Sequence, residues 1–238
     1  MSIWRRIINR AAGATLGGAI GTLVRSLDRR KVDRGGEAGD GTKQVAFTIG
    51  VIVLGAKLAK ADGRVTRDEI SAFKEVFRIP PDEAKNVGRV FDQARKAAHG
   101  FEPYAKQISR LFRDNPAVLE ELLDGLFHIA RADGKVTEDE IAYLREVAQI
   151  FGFGDADWDR IRAANVGPDS SDPFTIIGVS RDDSDETIKA AYRKLVVENH
   201  PDKLVAQGMP QEFIDVANEK LATINAAYDR IRKERNLN

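Results

Sequence analysis

"IARADGKVTEDEI" (residues 129–141) and "LAKADGRVTRDEI" (58–70) align without gaps, 71 residues apart, identical at nine of thirteen positions and conservative at three more. A repeat of this kind marks a duplicated structural unit. An apolar run leads into each copy, "VAFTIGVIVLGAKLA" (45–59) before the first and "LEELLDGLFHIARA" (119–132) before the second. Amphipathic runs follow, "EISAFKEVF" (69–77) and "EIAYLREVAQIFG" (140–152). The pattern predicts helix, tight turn, helix. Gly63 and Gly134 suit the left-handed position after a helix. Thr66 and Thr137 suit the N-cap of the next one, with Glu69 and Glu140 completing a capping box three residues on. Between the copies, "PDEAKNVGRVFDQARKAA" (81–98) and "PYAKQISRLFRD" (103–114) have helical period and open on proline or acidic residues. The middle of the chain therefore reads as a pseudo-twofold bundle of helical hairpins.

Composition supports an all-α protein. Of 238 residues, 31% are charged and only 7% aromatic, a balance that favours helices over sheets. Lys+Arg and Asp+Glu both number 37, so the whole chain has no bulk attraction for nucleic acid. The absence of cysteine excludes disulfides, thiol catalysis and Cys-ligated zinc, and fits a cytoplasmic setting.

The charge is uneven. Residues 1–34 carry eight Lys/Arg against two Asp/Glu, and within them "AAGATLGGAIGTLV" (11–24) is an uncharged 14-residue run. A bilayer needs about 20 apolar residues, and this run is short and glycine-rich. Its Gly13/Gly17/Gly21 spacing lets helices approach closely. Three readings stay open for 11–24: a spanning or re-entrant segment, a helix that lies on a membrane or self-associates, and a tail. Residues 35–42 read as a linker.

The last 67 residues form a separate unit. "DPFTIIGVS" (172–180) predicts a short helix capped by Asp172, opened by Pro173 and closed at Gly178. "SDETIKAAYRKLVVENH" (184–200) predicts a second helix, capped by Ser184 or Asp183, with Ile188, Ala191, Tyr192 and Leu195 as its buried stripe. Pro201 disfavours helical geometry at His200, so the helix stops there. "EFIDVANEKLATINAAYDRIRKER" (212–235) predicts a third, with Phe213, Val216, Ala217, Leu221, Ile224, Tyr228 and Ile231 on one stripe. The two long helices cover each other as an antiparallel hairpin, and His200-Pro201-Asp202 is its exposed tip. An acid/base reading of His200 and Asp202 finds no nucleophile context, no H-E-x-x-H and no apolar pocket to support it.

Residues 43–160 resemble the tellurite-resistance TerB-like helical family, whose duplicated acidic turn they share. That likeness raises a metal-binding reading with Asp62, Asp68, Glu69, Asp133, Asp139 and Glu140 as oxygen ligands. Each turn offers only two or three carboxylates where calcium takes six to eight oxygens, so no metal or other cofactor is expected. His128 reads as a packed core histidine and His99 as a helix-end residue. The blocks D-P-F-x-I-I-G-V (172–179), I-K-A-A-Y-R-K-L (188–195), H-P-D-K (200–203) and I-N-A-A-Y (224–228) resemble a J-domain of the DnaJ family. The spacer "LVAQGMPQEFIDVANEK" (204–220) is longer than usual for that family. With a linker at 161–171 and a J-domain at 172–238, the whole order resembles the DjlA-type DnaJ-like co-chaperones.

This resemblance implies a non-enzymatic co-chaperone that stimulates ATP hydrolysis by a DnaK-type chaperone and serves an unfolded or specific client protein. It implies that His200, Pro201 and Asp202 form the loop contact, that Lys189, Arg193, Lys194 and Lys203 supply a positive face, and that Tyr192 and Asn225 support the loop. It places the protein in the cytoplasm or at the cytoplasmic face of the inner membrane. The TerB-like bundle is then a targeting or regulatory module; the alternative is a metal- or stress-responsive scaffold at the membrane that uses the J-domain only for recruitment.

Overall fold

The computed structural model describes residues 40–59, 67–76, 79, 88, 91 and 100–236. Described helices are α1 (Asp40–Leu58), α2 (Arg67–Val76), α3 (Glu102–Leu111), α4 (Pro116–Ala130), α5 (Glu138–Phe151), α6 (Asp155–Asn165), α7 (Pro173–Ile177), α8 (Asp185–Glu198), α9 (Pro201–Ala206) and α10 (Ile214–Arg235), with a 3-10 turn at Gln211–Phe213. There is no strand among the described residues, and the protein is all-α as the sequence leads one to expect. The apolar stretch 11–24 and the first acidic turn, with Asp62, Gly63 and Thr66, lie outside the described residues, as does His99. Asp68 and Glu69 fall in α2 by backbone only.

Two helices are apolar around most of their circumference and so occupy the middle of the bundle. In α1, Val51, Ile52, Val53, Leu54 and Ala56 are all buried. In α4, burial extends from Val118 to Phe127 without a break. Around them pack α3, α5 and α6 through Ile108, Leu144, Val147, Trp158 and Ile161. Tyr143 on α5 donates to the Leu54 carbonyl of α1 at 2.9 Å, a bond that ties outer helix to central helix. Burial, with Glu102 and Glu146 nearby, raises the Tyr143 hydroxyl well above its usual pKa, so it stays a donor.

The second copy of the repeat has the predicted turn. Gly134 sits at φ 96°, and Thr137 caps α5: its hydroxyl accepts from the Glu140 amide at 3.3 Å while the Glu140 carboxylate accepts the Thr137 amide at 2.8 Å. Glu140 is 3% exposed. Residues 161–165, read from sequence as linker, belong to α6: Ile161 is buried in the first core, and Ala163 and Ala164 pack against the second.

That second core joins α7, α8 and α10 through Phe174, Ile177, Ile188, Leu195, Ile224 and Ile231. Caps here match expectation. Asp172 accepts from the Phe174 amide, Ser184 from the Thr187 amide, and Gly178 closes α7 at φ 77°. Arg181 and Arg235 lie over the Phe174 ring, 4.5 and 5.5 Å from its centre, and fasten the end of α10 to the start of the unit.

The apolar stripe expected along the third helix divides between the two cores. Ile224 and Ile231 face α7 and α8, whereas Phe213, Val216 and Ala217 join the core of the bundle. The long spacer explains the division. It forms the end of α9, the 3-10 turn and the start of α10, and its Leu204 and Met209 are wholly buried in the same core as Phe213, which meets Phe47 of α1 edge-on at 4.8 Å. Each such side chain contributes about 1.5–3 kcal/mol on burial, against about 0–1 kcal/mol for an exposed ion pair. The C-terminal unit is thus seated in the bundle by apolar anchors.

Candidate functional site

Helix α8 ends at Glu198 because Pro201 forces the residue before it out of helical geometry. His200 has φ −66° and ψ 128°, and its ring Nδ1 accepts from the Asp202 amide at 3.3 Å, making it the N-cap of α9. The tip is therefore a helix-to-helix corner. His200 and Asp202 are 54% and 91% exposed on their side chains, with His200 Nδ1 and Asp202 Oδ2 3.9 Å apart. Pro201 between them is buried, which corrects the expectation of a tip exposed at all three positions. Behind the corner, Asn199 is buried and donates through Nδ2 to the Leu195 carbonyl at 2.8 Å, closing the end of α8.

Lys189 and Arg193 share one ridge of α8 by four-residue spacing, and Lys194 lies beside them. Arg193 and Lys194 are exposed; Lys189 and Lys203 are half-buried. None of the four forms an ion pair among the described residues, which leaves their charge available to a partner. Tyr192 and Asn225 do meet: the tyrosine hydroxyl donates to Asn225 Oδ1 at 3.0 Å, and the Tyr192 ring stacks on Tyr228 at 3.9 Å. These contacts join α8 to α10.

Of the acidic-turn residues, Asp133 accepts from the Lys135 amide at 3.3 Å and Glu140 is committed to its cap. Among the described residues no group of three or more His, Asp or Glu could hold a metal. His128, expected to be packed in the core, is instead half-buried at the bundle's edge. Its Nδ1 lies 3.4 Å from Glu219 of α10, which also accepts from Arg131 at 3.2 Å.

Sequence reasoning missed the charge cluster beneath that edge. Glu120, Glu121 and Asp124 project from α4, Arg160 from α6 and Lys220 from α10. Lys220 Nζ is 2.6 Å from Glu120 and 2.7 Å from Asp124, and Arg160 grips Glu120 with two bonds of 2.6 and 2.7 Å. Asn165 donates to Asp124 from α6. All five of Glu120, Glu121, Asp124, Asn165 and Lys220 are under 9% exposed. Burial pushes the Glu120 carboxyl up, but Lys220 and Arg160 prevail and hold it at about 2. For Glu121 burial prevails: it lifts the carboxyl to about 8 against the opposing pull of Lys220 at 3.8 Å, and Asp124 and Glu120 add to the rise. Burial works against the charge on Lys220 and Arg160, yet their carboxylate partners raise both above their ordinary values. The signal was present in the sequence: "LEELLDGL" puts three carboxylates in an apolar helix, a pattern that demands buried cations.

The corner between two helices, with its cationic ridge, behind a helical bundle, defines a J-domain joined to a second all-α module. Comparison agrees on both parts: residues 48–163 match the family described as tellurite resistance protein TerB, and residues 172–236 match the DnaJ domain. The chain belongs to the DnaJ-domain proteins that carry a TerB domain ahead of the J-domain. It is 29% identical over 208 residues to the co-chaperone protein DjlA of Shewanella oneidensis, covering 81% of this chain and 79% of that one. It is 27% identical over 275 aligned positions to the DjlA of Photobacterium profundum, covering 98% and 99%. The DjlA of Photorhabdus laumondii is 26% identical, with 99% of each chain covered. No solved structure matches. No described helix is long and apolar enough to cross a membrane.

Proposed function

We propose that this protein is a co-chaperone whose J-domain, residues 172–238, binds a DnaK-type chaperone and stimulates its ATP hydrolysis. The observation that carries the reading is the α8–α9 corner: His200 and Asp202 stand exposed on either side of a buried proline, next to four cations with no ion pair among the described residues. A cationic helix face steers an acidic partner into encounter, and a rigid corner then biases the partner toward its hydrolysing conformation. The chemistry occurs in the chaperone; this chain has no phosphate-binding G-x-x-x-x-G-K-[ST] loop. The bundle, 43–160, gives the J-domain a fixed mounting and serves as its targeting or regulatory module. Its place of action is the cytoplasm, and separation of membrane and supernatant fractions for the full chain and for a form lacking residues 1–34 reports whether 11–24 holds it to a bilayer.

The deciding experiment is single-turnover ATP hydrolysis by a DnaK-type chaperone. His200→Gln removes the ring that caps α9 and faces the partner, and at least a tenfold loss of stimulation is expected with helicity unchanged by circular dichroism. Full stimulation by the variant would sink the reading.

A further inference from the structure

Helix α9 has six residues, too few to hold itself in place. Its direction must come from what it packs on, and that packing is one-sided. Pro201 and Leu204, three residues apart, are buried, and Val205 packs on the core of the bundle, whereas Asp202 and Ala206 are exposed. Leu204 is wholly buried and belongs to the core of the bundle, not to that of α7, α8 and α10. Asp202 stands two residues before it, about 200° around the helix, so burying Leu204 turns Asp202 outward. The Leu204 amide donates to the His200 carbonyl at 3.1 Å, which puts the histidine on the same helical turn.

The chain keeps its hold on the bundle beyond α9. The Met209 amide donates to the Leu204 carbonyl at 3.0 Å, after Gly208 has turned the chain at φ 106°, a conformation that favours glycine. The buried side chains Leu204, Met209, Phe213, Val216 and Ala217 all belong to the core of the bundle, and none to the second core. On the other side of the corner, His200 at ψ 128° interrupts helical geometry, so the direction of α8 does not carry over into α9. The bond from the Asp202 amide to the His200 ring is long, at 3.3 Å, and exposed, too weak to fix the corner alone.

We propose that Leu204 is the positioning residue of the chaperone contact: anchored in the bundle, it sets where His200 and Asp202 point. The contact is then built from both modules. Lys189, Arg193 and Lys194 on α8 govern encounter with the partner. The bundle, acting through Leu204, governs how productively the corner meets it. The use of the corner rests on the co-chaperone reading; its anchoring by the bundle does not.

Two measurements on the full chain test this. In single-turnover ATP hydrolysis by a DnaK-type chaperone, titrated with this protein, Leu204→Ala is expected to lower the maximal stimulation about fivefold or more while the half-saturating concentration stays within about twofold. Leu204→Met conserves volume and is expected to restore most of the stimulation; Leu204→Val, a smaller truncation, is expected to fall between. Ile129→Ala cuts the same core where Ile129 approaches Gly55 of α1, and controls for lost stability: its maximal stimulation is expected to match the wild type. The second measurement needs no chaperone. Hydrogen exchange at the Asp202 and Leu204 amides, relative to that in the middle of α10, is expected to speed up about tenfold in Leu204→Ala and not in Ile129→Ala. Unchanged maximal stimulation by Leu204→Ala, an equal loss in Ile129→Ala, no recovery with Leu204→Met, or unaltered exchange at the corner would overturn the inference. A wild-type chain that fails to stimulate the chaperone would overturn the co-chaperone reading, and the exchange rates would still decide whether Leu204 holds the corner.

Discussion

Glu121 shows how far a single buried side chain can govern stability. Its carboxyl is wholly buried, has no hydrogen-bond partner and is lifted from 4.5 to about 8. Between those values the folded protein keeps a proton that the unfolded chain releases, so stability falls as pH rises from 4.5 to 8 and levels off above. Linkage puts that loss at up to about 5 kcal/mol, as an order of magnitude. Glu120 runs the other way: held at about 2, it contributes stability that is lost as pH falls from 4.5 toward 2. Urea unfolding at pH 5 and pH 8.5 checks this, with Glu121→Gln expected to flatten most of the difference. Lys220→Met strands Asp124 without its cation and leaves Glu120 with Arg160 alone, and is expected to cost about 3–5 kcal/mol, read as a drop in the urea midpoint at unchanged slope. If the drop were under 1 kcal/mol, the cluster would be solvated and not buried.

At the scale of elements, α4 illustrates a competition between helix propensity and packing. Gly125 lies mid-helix, where alanine ordinarily gains about 1 kcal/mol. A Cβ there, however, would stand 2.9 Å from the Phe213 ring, which is fully buried against the bundle. Overpacking of that kind costs about 1–3 kcal/mol, so Gly125→Ala is expected to lower the midpoint of thermal unfolding in spite of its better propensity. The glycine thus exists for the close approach of the 3-10 turn. The capping box of α5 is simpler: Thr137→Ala removes one acceptor from its N-terminus and is expected to cost about 1 kcal/mol, again read by denaturant melts. Under the proposed function, Arg193→Glu on α8 is expected to reduce chaperone stimulation severalfold at low salt, with the difference shrinking as salt screens it. A salt-independent loss would indicate misfolding instead.

For the whole molecule, the central consequence is that α10 spans both cores, so that Phe213, Val216 and Ala217 tie the J-domain into the core of the bundle. Trp158 reports the bundle and the Tyr192–Tyr228 stack reports the J-domain, so the two can be followed apart. Coincident transitions are expected, and Phe213→Ala is expected to destabilise both by about 3–5 kcal/mol. Two separated transitions would mean that the modules fold independently. Much of this protein was legible beforehand. The repeat specified helical hairpins because a capping box and a left-handed glycine are local devices, fixed within a few residues. Caps and prolines likewise set the ends of α7 and α8, and the H-P-D corner falls where Pro201 dictates. What local pattern could not specify was which apolar face meets which. Phe213, Val216 and Ala217 share a stripe with Ile224 and Ile231, and helical period alone cannot assign parts of one stripe to two cores. Nor can it show that Glu120, Glu121 and Asp124 would meet Lys220 about a hundred residues later, or that His128 would face Glu219. Sequence by itself determined the helices, their ends and the corner that bears His200; tertiary packing alone decided that the long spacer docks the J-domain into the bundle, because burial is settled by the surfaces that meet, however far apart they lie along the chain.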